Sequence, residues 1–132
     1  MVILKKDKIN HDCYIYSLGW VDKKITFTIS QHFRIIQTLK TYDHPEGEEL
    51  VRKYTPINPC SQTVPFHITQ DTIDMLVKIY RPNTHPDFPH GGKITPFLEN
   101  REVGDKLLIE APFGQFGYEG NGTVVLSNNI DI

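Results

Sequence analysis

The sequence is short of most things that mark a specialised class of protein. It has no surplus of charge, since 14 basic against 16 acidic side chains leave a net −2. That excludes nucleic-acid binding through a bulk positive field, and any anion site has to be local. It has no long apolar run, and nothing approaches the roughly 20 residues a membrane-spanning helix needs. Its opening Met1-Val2-Ile3-Leu4, followed by Lys5 and Lys6, is too short for the apolar core of a secretory signal. A soluble, cytoplasmic protein is expected, and membrane association would need a segment outside this chain.

Cysteine is equally scarce. Cys13 and Cys60 lack C-x-x-C spacing and are expected as buried free thiols. The six histidines (His11, His32, His44, His67, His85, His90) form no HxH or HExxH pattern, so no metal site is expected. What remains is an ordinary globular composition, 39% apolar and 23% charged over 132 residues. One domain of that length can bury a core without disulfide or metal staples.

What is present reads as strands joined by turns. Cys13–Ser17 and Ile25–Ile29 are β-branched and aromatic, and Phe33–Leu39 continues the pattern. His44-Pro45-Glu46-Gly47 makes 42–48 a turn or loop, before a strand from Leu50 to Thr55 that Pro56 stops. From Thr72 to Tyr80, Ile73, Met75 and Val77 share one face while Leu76 breaks the alternation. The stretch from Arg81 to Gly92 holds three prolines and two glycines, too many to continue a ladder or a helix. It is a shaped loop.

One short helix follows, with Thr95 expected as N-cap, Pro96 in the first helical position, and an end near Asn100. Lys106–Pro112, with the length of a buried strand, then Gly117–Gly120 and Thr123–Leu126 return to strand. Six or so strands with a single helix point to a small antiparallel barrel.

Three segments can carry chemistry. In Arg52-Lys53-Tyr54-Thr55-Pro56, alternation puts Arg52 and Tyr54 on one face and Lys53 on the other. A guanidinium grips phosphate oxygens, a Tyr ring lies on a heteroaromatic plane, and Thr55 can hydrogen-bond a polar edge. Alone, the same residues are better described as a strand with a surface Arg and a core Tyr. In Gly91-Gly92-Lys93-Ile94-Thr95, glycines let backbone N–H groups approach an anion at a helix start. Alone, this is also an ordinary turn, and it lacks the leading glycine of a Walker A loop. Val77-Lys78-Ile79-Tyr80-Arg81 could hold a flat ring against Tyr80, or be a plain strand with Lys78 outward.

In that order the three segments resemble the flavin domain of the NADH–cytochrome b5 reductase family, within the ferredoxin reductase-like flavoproteins and including the flavin part of nitrate reductase. Arg52-Lys53-Tyr54-Thr55 is similar to the family's R-x-Y-[TS] motif, and Gly92-Lys93-Ile94-Thr95 to its G-x-[ML]-[ST] element. Thr84-His85-Pro86-Asp87-Phe88-Pro89, Val103-Gly104-Asp105 and Ala111-Pro112-Phe113-Gly114 match further family segments, and Gln31-His32 a shorter upstream one.

The resemblance implies an all-β fold, a small six-stranded antiparallel Greek-key barrel over 1–122 with one capping helix. It implies FAD as cofactor, NADH as electron donor, and cytochrome b5 or a similar haem protein as acceptor. Carried over by position, Arg52 would neutralise the pyrophosphate, Tyr54 would pack on the isoalloxazine, and Thr55 would sit at the reactive edge, the one catalytic assignment. Lys53 adjoins them. Leu76, Lys78 and Tyr80 would contact the cofactor from their strand, largely through backbone. Gly92, Lys93, Ile94 and Thr95 would line the phosphates.

Departures accompany the likeness. Ser30 replaces a Gly before Gln31-His32, Ile94 replaces a Met, and Arg81 stands where relatives carry an aromatic on the adenine side. The charged stretch 42–48 has no counterpart in the family pattern. No glycine-rich βαβ turn for a nicotinamide follows the barrel, so residues 123–132 are expected to lead toward a nicotinamide-binding domain absent from the chain. The alternatives are a flavin module serving another acceptor, as in nitrate reductases or oxygenase reductases, or a non-catalytic oligonucleotide-type barrel. Net charge speaks against the last.

Overall fold

Alternating exposure along each strand builds the frame that positions the candidate residues. The computed structural model describes residues 1–21, 27–28, 31–58, 67–68, 71–113, 116–118 and 124–126. In chain order these form β1 (Val2–Lys8), β2 (Cys13–Gly19), β3 (Phe27–Thr28), β4 (His32–Thr41), β5 (His44–Tyr54), β6 (His67–Ile68) and β7 (Thr72–Lys78). After them come helix α1 (Ile94–Glu99) and strands β8 (Leu108–Phe113), β9 (Phe116–Tyr118) and β10 (Val124–Leu126). Cys60 and most of the expected strand Ile25–Ile29 lie outside the described residues.

Two three-stranded antiparallel sheets dominate, ordered β1-β2-β7 and β5-β4-β8, with β3-β6 and β9-β10 as short pairs. The expected closed barrel is therefore not one continuous ladder among the described residues. The sheets do meet at two seams. Val2 bridges Lys106, Ile3 N–H donates to the Asp105 carbonyl at 2.8 Å, and Leu107 N–H donates to Met1 at 2.8 Å. At the other edge Ile57 N–H donates to the Asp74 carbonyl at 2.9 Å, and Asp74 N–H to Asn58 Oδ1 at 2.7 Å.

The core collects the inward faces. Ile73, Met75, Val77 and Ile79 are buried as their alternation requires, and they pack with Ile3, Tyr16, Leu18, Phe33, Ile35 and Leu98. Each such side chain contributes about 1.5–3 kcal/mol by leaving water. Leu76 points outward and is half exposed. The strand after Lys106 was expected to be buried, yet Leu107 is buried while Leu108 and Glu110 are exposed. With one neighbour sheet behind it, only one face of β8 has anything to pack on. Cys13 is a free thiol but only half-buried, because it opens β2 beside the turn that exposes Asn10 and His11.

Two local expectations change. Residues 42–48 are not a loop. β4 and β5 form a long hairpin that turns at Tyr42-Asp43, and His44 already belongs to the ladder. Pro45 and Gly47 are accommodated where the register slips from Thr41↔His44 to Leu39↔Glu48, a bulge in which a missing N–H costs no rung. Gly47 adopts φ +103° there, which favours glycine.

The helix also starts earlier than expected. Lys93, not Thr95, is its N-cap, and Asn100 closes it as expected. Pro96 then stands third in the first turn, where its lacking N–H would be unpaired anyway. The helix's far end is fastened by other elements. Tyr16 donates to the Leu98 carbonyl at 2.6 Å, and Lys6 donates to the carbonyls of Glu99 and Arg101. No helix among the described residues is long and apolar enough to cross a membrane.

Candidate functional site

The end of β5 presents its motif outward. Register pairs Ile35 with Arg52 and Phe33 with Tyr54, so Arg52 and Tyr54 share a face, and Lys53, opposite Arg34, takes the other. Tyr54 is half-buried with its ring tilted on Phe33, centroids 6.3 Å apart. Burial pushes its phenol up to about 12, partly opposed by the Arg52 charge and reinforced by Tyr80. Arg52, Lys53 and Thr55 are exposed. The Arg52 guanidinium donates to the Val51 carbonyl at 2.9 Å and meets no carboxylate among the described residues. Nearby, burial and then the Lys53 and Arg34 charges lower the His32 pKa.

The end of β7 supplies a second wall. Leu76, Lys78 and Tyr80 are exposed, and Lys78 Nζ lies 5.6 Å from the centre of the Tyr80 ring. Tyr80 joins Thr84, His85, Phe88, Gly91 and Gly92 in lining a largely apolar groove of about 450 Å³. Two glycines permit this close approach. A Cβ on Gly91, at φ +70°, would run into the Tyr80 carbonyl and the Arg81 backbone. One on Gly92 would stand 2.9 Å from Thr95 Oγ1 and 3.2 Å from the Tyr80 Cβ.

Other expected side chains are occupied inside the fold. Thr95 is buried, and its hydroxyl accepts the Tyr80 N–H at 3.0 Å. Ile94 is buried in the core. Arg81 donates to both Glu99 oxygens and, at 2.7 Å, to the His11 carbonyl, while Tyr14 donates to Glu99 at 3.0 Å. Hydrogen bonds from Arg81, then from Tyr14, hold the Glu99 carboxyl below its usual range against the opposing effect of burial. Lys93 contacts Glu48 at 2.6 Å and Asp43 at 2.9 Å. Asp43, His44 and Glu48 bring three potential ligand atoms within 4.8 Å of one another, but the Lys93 ammonium already shares the two carboxylates.

The exposed Arg52 beside the half-buried Tyr54 at the end of β5, and the tyrosine-walled groove with its glycine turn after β7, offer the chemistry that a flat ring bearing phosphate needs. The family described as an oxidoreductase FAD-binding domain matches residues 1–118. The chain belongs to that family. It is an FAD-binding domain of the cytochrome b5 reductase-like oxidoreductases. It is similar to rat NADH-cytochrome b5 reductase 2, with 27% identity over 129 residues covering 96% of this chain and 42% of that protein. The NADH nitrate reductase of Ulva prolifera is 33% identical over 119 residues, covering 89% of this chain and 13% of that protein. The crystal structure of the cytochrome b5 reductase domain of the Ulva enzyme superposes with a TM-score of 0.75 at 30% identity, covering 95% of this chain and 44% of that one. The chain thus spans under half the length of the reductases it matches.

The domain's own residues fit an FAD at β5, β7 and the glycine turn. They fit less well at Lys93 and Arg81, whose charges are already paired. Sequence reasoning missed the groove residues Thr84, His85 and Phe88 as potential contacts, although the density of prolines and glycines marked their loop as shaped. It also missed Asp43 and Glu48 as partners of Lys93. Opposite charge was the only signal, and they lie 50 and 45 residues away.

Proposed function

We propose that this domain is the flavin half of an oxidoreductase that takes electrons from NADH through FAD to a haem protein such as cytochrome b5. The observation that carries the reading is the outward Arg52-Lys53-Tyr54-Thr55 end of β5, in a chain of the FAD-binding family whose relatives are named NADH-cytochrome b5 reductases. FAD, when bound, accepts electrons in pairs and can release them singly. The residues then have separate tasks. Arg52 balances phosphate charge, the Tyr54 ring backs the flavin plane, and the Thr55 hydroxyl hydrogen-bonds its edge. Lys53 and Lys78 add positive charge at the rim, while Leu76, Tyr80 and the Gly91-Gly92 backbone form the second wall.

The proposal extends to the architecture. The seams at Val2–Lys106 and Ile57–Asp74 support closure into a six-stranded antiparallel Greek-key barrel over 1–122. Residues 123–132 would lead to the nicotinamide-binding domain. This chain by itself would not turn over NADH. A cytoplasmic setting is part of the same reading, supported by the free thiol of Cys13. Nitrate reductase is a second reading for the parent protein, favoured by the 33% identity to the Ulva enzyme and the superposition on its reductase domain.

The test is to saturate the purified chain with FAD, desalt it, and record the visible spectrum and flavin fluorescence. A retained, shifted flavin band that weakens in Arg52→Ala and Tyr54→Ala is the expected result. A colourless chain, together with equal retention by wild type and both variants of the full-length protein, would overturn the residue assignments.

A further inference from the structure

Lys93 shows a contradiction between position and bonding. It caps α1 beside two glycines, where a free ammonium would serve an anion, yet its side chain is only 21% exposed and turned away to the β4–β5 hairpin. Glu48 Oε1 lies 2.6 Å from Nζ, and the two Asp43 oxygens lie at 2.9 and 3.1 Å. A second, uncharged contact joins the same two segments. The Tyr42 ring stacks on His90 with centroids 3.9 Å apart and planes 11° from parallel. Lys93 Nζ also sits 5.5 Å from the centre of the Tyr42 ring. Asp43 is in turn braced by Thr41 at 3.0 Å and His44 at 3.1 Å.

These contacts meet on one short stretch. His90 and Lys93 bracket Gly91 and Gly92, whose N–H groups are tied to the carbonyls of Phe88 and Tyr80. The loop from 82 to 92 is exposed throughout except at the glycines, and the hydrogen bonds described for it run within the loop or to the adjoining Tyr80 and Arg81 carbonyls. Fixing His90 and Lys93 fixes the glycine backbone between them, and a backbone ordered in advance spares a ligand the cost of ordering it on binding. The hairpin that does this is the stretch 42–48.

We propose that the β4–β5 hairpin tip is a latch, in which Asp43, Glu48 and Tyr42 are positioning residues that hold the Gly91-Gly92 turn, and with it the Tyr80 wall of the groove, in shape for the flavin. Lys93 acts through this latch and not as a direct phosphate ligand. The part concerning flavin rests on the reading of the domain as an FAD site. The latch itself does not.

Two measurements on the full 132-residue chain separate these. Amide hydrogen exchange without FAD should speed up across 82–93 in the double variant Asp43→Asn/Glu48→Gln and in Lys93→Met, while β1 and β2 stay unchanged. FAD titration, followed by flavin fluorescence, should show about 3- to 10-fold weaker binding in both. The triple variant should be no worse than either, because all three act through one contact. Unchanged exchange in 82–93 overturns the latch. So does a double variant that binds FAD as tightly as wild type, or tighter, while Lys93→Met binds it weakly, since Lys93 would then serve the phosphate directly. If exchange responds as expected but neither wild type nor Arg52→Ala binds FAD, the flavin reading fails and the latch stands as a structural device.

Discussion

The ends of β5 and β7 are two walls of one candidate site, and they are built on opposite plans. At β5 the side chains face outward. Arg52, Lys53 and Thr55 are exposed, and Tyr54 is partly buried with its ring resting on Phe33. Around the glycine turn that follows β7 the side chains are consumed inside the protein. Thr95 receives the Tyr80 N–H, Ile94 joins the core, and Lys93 and Arg81 are paired with carboxylates. What that second wall offers a ligand is backbone and the ring of Tyr80. A motif read from sequence as a set of donors can therefore be a set of fasteners that places other donors.

The comparison can be broken most severely at the second wall. Gly91→Ala should destabilise the fold by about 2–4 kcal/mol, because φ +70° is strained for alanine and its Cβ meets the Tyr80 carbonyl. Urea unfolding followed by circular dichroism measures it. At the first wall Tyr54→Ala should instead cost ligand affinity, about 10- to 100-fold for FAD, with less than about 1 kcal/mol of that visible as lost fold stability beyond the contact with Phe33. If both substitutions acted mainly on stability, the two-plan distinction would be wrong.

A smaller effect distinguishes a fastened carboxylate from a solvated one. Arg81 first, and Tyr14 after it, hold the Glu99 carboxyl below its ordinary value of 4.5. A carboxyl whose pKa is depressed by folding lends stability above its unfolded value and loses it as pH falls through the folded one. Wild type should thus lose melting temperature on acidification below pH 4.5, and Glu99→Gln should be less stable at neutral pH with a flatter acid limb. Lys53→Ala should be the mildest, within about 0.5 kcal/mol in unfolding, as an exposed side chain on the face away from Tyr54. A larger loss would mean that Lys53 supports the site's frame.

Much of the frame was legible because period-2 patterns are local. Ile73, Met75 and Val77 announce a buried face, and the structure buries all three. The shared face of Arg52 and Tyr54 follows from the same alternation. The hairpin over 42–48 was illegible for a related reason. Pro45 and Gly47 normally interrupt strands, and only a bulge opposite Leu39–Thr41 lets β5 pass through them. Thr95 looked like a cap because Pro96 follows it, yet the Tyr80 N–H claimed its hydroxyl from another strand.

By itself, then, the sequence determined most of the longer strands, the short helix that follows the glycine turn, and which residues of Arg52-Lys53-Tyr54-Thr55 could face one ligand, but not β1 or the strand over 44–48. These rest on spacing within a few residues, where backbone geometry leaves little choice. Only the tertiary structure decided what Lys93, Thr95 and Arg81 are used for. Their partners lie 45, 15 and 18 residues away, and a charged or hydroxyl side chain takes whichever partner the fold brings to it.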